Sequence, residues 1–238
     1  MTAVKICGIT NPEDAFAACD YGAEALGFIF FDPSPRHINP LEANKIIQRL
    51  PGNIAKIGVF VNPEIPLIQN IWKYCGLDFI QLSGDETPDF CNQIPASILF
   101  KAVSANMGKD LSAIDSYKTR AFLIDSRDQG QFGGTGKLSN WEQAMAIGRK
   151  HPVILAGGLN PENVGTAIEA VSPEAVDVSS GVEFYPGKKD PQKVRMFIES
   201  VRFTGGRESN GIFDRDKSLS QAGEKFAERN KNEKKSAG

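Results

Sequence analysis

The apolar residues of this chain gather in short continuous runs more often than in strict alternation with polar ones. Eight runs rich in β-branched or aromatic residues recur, at Val4–Ile9, Ala25–Phe31, Ile54–Val61, Phe79–Leu82, Ile98–Val103, Ala121–Ile124, Val153–Ala156 and Ala175–Val178. Such runs are the pattern of strands buried on both faces. Between them the apolar positions take helical spacing, as at Ala15, Ala18 and Cys19, at Ile46, Ile47 and Leu50, and at Ala144, Ala146 and Ile147. Alternating strand and helix calls for right-handed crossovers and a parallel sheet. Eight strands with eight following helices, from Val4 to Arg202, fill about 200 residues, the lower end of the usual length of a (βα)₈ barrel. The expected architecture is therefore α/β, a (βα)8 TIM barrel of residues 1–202 in a single domain. A doubly wound open sheet is the alternative.

The helix starts share a device. Asn11-Pro12-Glu13, Asn62-Pro63-Glu64 and Asn160-Pro161-Glu162 each follow a strand run, and Thr87-Pro88-Asp89, Asn39-Pro40 and Asp190-Pro191 are variants. Asn caps a helix, Pro fits its first position where no N–H is needed, and Glu favours the positive end of the dipole. Each one alone is only a good helix start; their repetition at successive strand ends supports a repeated βα unit. From Phe203 the character changes. Residues 203–238 are rich in Gly, Ser, Asn, Lys and Glu, with Ile212, Phe213, Leu219 and Phe226 as the large apolar residues. This composition predicts a mobile, disordered polar C-terminal tail, with at most a short helix around Gln221–Arg229 that buries little.

Composition narrows the function. Apolar residues make up 41% and charged residues 24%, and the net charge of −2 argues against a nucleic-acid or membrane-surface binder. No run reaches the roughly 18 apolar residues of a membrane span. Met1-Thr2-Ala3 leads straight into the first strand run instead of a secretory leader. Cys7, Cys19, Cys75 and Cys91 lack CxxC spacing, which fits reduced thiols in a cytoplasmic protein, and His37 and His151 are too few for a His-rich metal site. No cofactor and no metal are expected.

A barrel carries its active site at the C-terminal ends of the strands. Cys7 stands there, before Gly8. A strand cysteine is ordinarily small apolar filler, but at the barrel mouth a thiolate can act as nucleophile or proton acceptor. Cys19, Cys75 and Cys91 fall in helical segments and read as packing residues. Asp125 ends the run Ala121–Ile124, where a partly buried carboxyl can serve as an acid, the alternatives being a helix cap or a structural ion pair. Arg36, in Ser34-Pro35-Arg36-His37, is either a solvated loop residue or a fixed guanidinium suited to a substrate carboxylate. Gly157, Gly158, Ser180 and Gly181 lie beyond the last two runs, where glycines let the backbone approach a ligand and barrels often bind phosphate. Gly133-Gly134-Thr135-Gly136-Lys137 lacks P-loop spacing and reads as a flexible loop over the substrate.

Taken in order, Val4-Lys5-Ile6-Cys7-Gly8-Ile9, Leu26-Gly27-Phe28-Ile29-Phe30, Ser34-Pro35-Arg36, Gly58-Val59-Phe60, Gln81-Leu82-x-Gly84, Leu123-Ile124-Asp125-Ser126, Gly133–Gly136, Leu155-Ala156-Gly157-Gly158-Leu159 and Val176–Glu183 resemble the phosphoribosylanthranilate isomerase family over residues 4–202. The resemblance implies an Amadori rearrangement of N-(5-phosphoribosyl)anthranilate to 1-(2-carboxyphenylamino)-1-deoxyribulose 5-phosphate, a step of tryptophan biosynthesis. It implies Cys7 as the base for the C2′ proton, Asp125 as the acid for the ribose ring oxygen and Arg36 as the holder of the anthranilate carboxylate. Gly157, Gly158, Ser180 and Gly181 would hold the phosphate of this small-molecule phosphosugar. Two positions depart from the family, Ser83 in place of its usual His and Ser139-Asn140-Trp141 in place of Phe-Asp-Trp. The rivals are the related histidine-pathway isomerase, which carries Asp where this chain has Cys7, and a phosphometabolite sensor, which would lose the acid or the base. Either a monomer or a homodimer is compatible with the sequence.

Overall fold

The computed structural model describes residues 1–104, 112–125, 141–204, 211–215 and 217–228. Eight parallel strands close a barrel in chain order: β1 (Ala3–Cys7), β2 (Ala25–Ile29), β3 (Ala55–Phe60), β4 (Phe79–Leu82), β5 (Leu99–Ser104), β6 (Ala121–Asp125), β7 (Val153–Ala156) and β8 (Ala175–Val178). β8 pairs back onto β1, with Lys5 opposite Asp177, so no edge strand remains. Most strand side chains are buried, as their unbroken apolar runs require. Among the described residues no helix is long and apolar enough to cross a membrane.

The outer layer contains α1 (Pro12–Asp20), α2 (Pro40–Ile47), α3 (Ile65–Cys75), α4 (Pro88–Cys91), α5 (Trp141–Gly148), α6 (Val164–Val171) and α7 (Pro191–Thr204). Asn11, Asn39 and Thr87 cap α1, α2 and α4 as the sequence predicts, each accepting a backbone N–H three residues on. Two of the Asn-Pro-Glu triplets do something else. Asn62 takes a left-handed backbone (φ 46°) and its side chain accepts from Asp85 N, bracing the loop after β4. Asn160 accepts from Glu162 N and Asn163 N in a turn that precedes α6. The helical layer is also thinner than eight full helices. α4 is a single turn, and the described part of the β5–β6 connection holds only a 3₁₀ turn at Ser112–Ser116.

The segment beyond 204 bears on that thin region, and here the described residues depart from the expected polar tail. Gly211–Arg215 lies against the N-terminal ends of β4, β5 and β6. Arg120, just before β6, donates to Ile212 O (2.7 Å) and Gly211 O (2.8 Å) while its guanidinium sits over the Phe79 ring. The Phe213 ring meets Phe100 edge-on at 5.9 Å, and Arg215 pairs with Asp78. A further helix, α8 (Lys217–Glu228), then runs antiparallel to α3: Gln69 Nε2 donates to Phe226 O (2.7 Å), and Gly223 lies against the Trp72 ring. Leu219 and Phe226, seven apart, share one helix face and are both buried. Their burial is what the overall polarity of the tail conceals. Residues 205–210, 216 and 229–238 of the expected tail lie outside the described residues.

Docking of this segment has a measurable consequence. Phe226→Ala should destabilise the protein by about 3–5 kcal/mol, the usual loss for a buried phenylalanine. At about 2–4 °C per kcal/mol for a chain of this size, the Tm should drop by roughly 10 °C. Truncation after Thr204 should lower it at least as far, by exposing Phe100 and Trp72. An unchanged Tm in both variants would mean that α8 does not hold to the barrel in solution.

Candidate functional site

The C-terminal mouth of the barrel collects the predicted residues. Cys7 is the last residue of β1 and Asp125 the last of β6, with β7 and β8 between them around the barrel. Arg36 follows β2, Gly157 and Gly158 follow β7, and Ser180 and Gly181 form the start of a 3₁₀ turn after β8.

Cys7 is buried at 5% exposure, and the groups around its sulfur are ionic. Lys5, two residues earlier and so on the same side of β1, is fully buried. Its Nζ stands 2.8 Å from Asp177 Oδ1 on β8, and its charge acts on the neighbouring Cys7 thiol. Burial alone would lower the Lys5 pKa, but Asp177 and Cys7 outweigh it and hold the ammonium above the ordinary lysine value. Burial pushes the Cys7 thiol up, Lys5 and Lys189 pull it down, and Asp177 adds to the rise. The net direction for Cys7 is upward, and the other three thiols are raised as well. Cys19, Cys75 and Cys91 are each pushed to about 11, chiefly by burial, in line with packing roles.

Arg36 is half-buried and ion-paired. Its Nε and Nη2 are gripped by both oxygens of Glu183, at 2.7–3.1 Å. Its aliphatic part lies over strand one: a Cβ on Gly8 would stand 2.8 Å from Arg36 Cδ. Glu183 opens a short hairpin, β9 (Glu183–Tyr185) with β10 (Lys188–Lys189). From β10, Lys189 Nζ reaches Glu183 Oε1 (2.9 Å), Cys7 O (2.6 Å) and Ser179 O (3.3 Å). Burial opposes the charge on Glu183, yet Arg36 and Lys189 hold its carboxyl below the ordinary glutamate value. Burial draws Lys189 below the ordinary lysine value, with Glu183 pulling the other way. Among the described residues nothing engages Arg36 Nη1, which leaves that edge of the guanidinium for a second carboxylate. An open groove of about 440 Å³ between Thr10, Pro35, His37, Tyr185 and Gly187 adjoins this pair.

The loops after β7 and β8 meet each other. Gly157 and Gly158 have φ of 85° and 68°, a left-handed conformation that side chains rarely adopt. A Cβ on Gly181 would overlap Leu159 O, so the two loops touch through a position that only glycine can fill. Among the described residues, the N–H groups of Gly158, Ser180 and Gly181 donate to no protein acceptor. Three backbone donors in two touching loops are an arrangement that can take an anion.

Asp125 is half-buried at the end of its strand and has interaction partners. Ser126, the loop Gly133–Lys137 and Ser139-Asn140 lie outside the described residues. Ser83 accepts from Gln81 Nε2 at 3.0 Å, and its N–H donates to Phe60 O. His37 pairs with Asp32 and His151 with Asp115, so both histidines have structural partners near the surface. Sequence reasoning assigned no role to Lys5, Asp177, Glu183 or Lys189. A lysine inside an otherwise apolar strand run was the available sign for Lys5. For Lys189 no sign existed.

The family model for N-(5'-phosphoribosyl)anthranilate (PRA) isomerase matches residues 4–200. The N-(5'-phosphoribosyl)anthranilate isomerase of Syntrophus aciditrophicus is 51% identical over 210 residues, which cover 88% of this chain and 91% of the relative. The crystal structure of phosphoribosyl anthranilate isomerase from Thermotoga maritima superposes with a TM-score of 0.79 at 41% identity, covering 85% of this chain and all of that one. A phosphoribosyl anthranilate isomerase in complex with reduced 1-(o-carboxyphenylamino)-1-deoxyribulose 5-phosphate gives 0.76 at 40% identity, with the same coverage. With the match running through all eight strands, the chain belongs to the N-(5'-phosphoribosyl)anthranilate isomerase family.

Proposed function

We propose that this chain converts N-(5-phosphoribosyl)anthranilate to 1-(2-carboxyphenylamino)-1-deoxyribulose 5-phosphate by paired acid–base catalysis, with Cys7 as base and Asp125 as acid. Asp125 gives its proton to the ribose ring oxygen as the C1′–O bond breaks. The anthranilate nitrogen lone pair forms the C1′=N bond, leaving an iminium. Cys7 thiolate takes the C2′ proton, and the electrons of that C–H bond neutralise the iminium to give an enol-amine. Tautomerisation then moves the enol proton to C1′ and leaves the ketone. Each step is a proton transfer, so two positioned groups of opposite protonation suffice.

One observation carries the reading: the thiol at the end of β1 has the stem of buried Lys5 beside its sulfur, Lys189 on its carbonyl and Arg36 lying over the next residue. That combination suits a proton acceptor whose substrate is an anion at both ends. Arg36, held by Glu183, presents its Nη1 edge to the anthranilate carboxylate. Gly158, Ser180 and Gly181 take the phosphate on backbone N–H groups, and Gly157 shapes the loop around it. In this arrangement the ribose lies between the two ligand anchors, where acid and base act on it from different strands. The small molecule works within one barrel, and a monomer or a homodimer serves it equally.

Turnover of N-(5-phosphoribosyl)anthranilate, followed by loss of its fluorescence, tests the reading. Cys7→Ala and Asp125→Asn should each lower kcat by about 10²–10⁴-fold with KM little changed, because each group acts in the transition state. Near-normal kcat in both folded variants would show that this pair is wrongly chosen. The anchors should behave in the opposite way. Gly181→Ala forces the β7 and β8 loops apart and should raise KM by at least about tenfold, a loss of about 1.4 kcal/mol in binding, and it should weaken inhibition by inorganic phosphate in parallel. If phosphate inhibition is unaffected, the cradle is elsewhere.

A further inference from the structure

The proposed chemistry leaves one conspicuous group unused. Lys5 is completely buried in the barrel interior, two residues below the proposed base. Its stem and the Cys7 sulfur converge on one point of β2, since a Cβ built on Gly27 would stand 2.7 Å from Cys7 Sγ and 3.2 Å from Lys5 Cε. Glycine at that position leaves room for the two side chains to meet. Strand pairing places Asp177 beside Lys5, and the 2.8 Å contact with Oδ1 fixes the ammonium from the other side.

The remaining charges around Cys7 are otherwise engaged. From β10, Lys189 directs its Nζ to Cys7 O, Ser179 O and Glu183. From the loop after β2, Arg36 is bound by both oxygens of Glu183. β2 itself contributes only Gly27, and β8 contributes Asp177. Among the described residues Lys5 is therefore the cation left to act on the sulfur itself.

We infer that Lys5 is the counter-cation of the Cys7 thiolate, a positioning residue acting through the sulfur, and that Asp177 sets where its ammonium stands. The inference rests on the reading of Cys7 as base. During the reaction the C2′ proton passes to sulfur while Lys5 keeps its own, so the ammonium stabilises the thiolate before transfer and is not consumed. Asp177 works against the thiolate by its charge and for it by holding Lys5 in reach. Those opposed effects give the two partners opposite signatures.

The test is the titration of Cys7 in the full chain. It is read as thiolate ultraviolet absorbance, taken as the difference between each protein and its Cys7→Ala counterpart. Lys5→Met should raise the midpoint by about 1 pH unit or more, the usual effect of losing an adjacent opposite charge. Lys5→Arg should restore it most of the way, and Asp177→Asn should move it down. In turnover assays Lys5→Met should lower kcat far more than it changes KM, with part of the loss recovered at higher pH. A packing defect would lower the Tm without moving the two midpoints in opposite directions. Should Lys5→Met fail to fold, Asp177→Asn decides alone. An unmoved midpoint in Lys5→Met, or an unmoved or raised one in Asp177→Asn, overturns the inference. Retained turnover in Cys7→Ala would instead overturn the reading of Cys7 as base and the catalytic part of this proposal with it, whatever the midpoints show.

Discussion

An ammonium group taken out of water must be neutralised where it stands, and that constraint organises the upper half of this barrel. Among the described residues three lysines are buried, Lys5, Lys101 and Lys189. An unpaired charge in such a place costs several kcal/mol, so each requires a carboxylate in fixed geometry. Each carboxylate belongs to a different piece of chain. Lys5–Asp177 ties β1 to β8 at the seam where the barrel closes. Lys101 on β5 binds Glu86 in the loop after β4, and Glu86 also accepts from Asn62 N and Gly84 N, which clamps the upper ends of three successive strands. Lys189–Glu183 spans the hairpin after β8, and Lys189 Nζ also donates to Cys7 O at the end of β1.

These pairs make the mouth rigid in the places where the proposed chemistry needs it. Glu183 is shared between Lys189 and Arg36, so the orientation of the guanidinium follows from a charge that was already needed to neutralise a buried lysine. A side chain fixed in this way keeps its geometry before any ligand arrives, and preorganised charge is where most enzymes find their rate. The division of labour across the mouth is also physical. The ionic cluster lies at β8, β1 and β2, where Cys7 and Arg36 stand, while the backbone cradle belongs to β7 and β8. In the proposed chemistry side chains serve the reacting and carboxylate ends, and main-chain N–H groups the phosphate end.

The barrel was legible because a strand buried on both faces leaves an unbroken apolar run, and all eight runs coincide with strands to within a few residues. The strand-end positions of Cys7 and Asp125 were legible because Gly8 interrupts the first run just after Cys7 and Asp125 follows the run Ala121–Ile124. The helical layer was less so. Asn-Pro-Glu encodes a turn as readily as a cap, and whether Asn62 caps a helix or braces a neighbouring loop depends on Asp85, which its own surroundings in the chain do not specify. The Arg36–Glu183 pair joins residues 147 positions apart, and no local pattern carries that information. The docked segment 211–228 was hidden for a different reason. Four large apolar residues among many polar ones look like a soluble tail until Leu219 and Phe226 are seen on one face opposite Trp72.

That segment also has a bearing on how the protein comes apart. The family match ends at residue 200, and the eight strands are complete well before the residues that α8 contributes. Its contacts are non-local in the extreme: Arg120 holds carbonyls 91 and 92 positions further on, and Gln69 holds one 157 positions away. These contacts need α3 and the ends of β4, β5 and β6 in place to rest on, so they are expected to form after them. A clasp fastened last contributes little to the transition state for folding. Its stabilisation is then felt almost entirely in the unfolding rate, so what α8 adds to the barrel is chiefly lifetime.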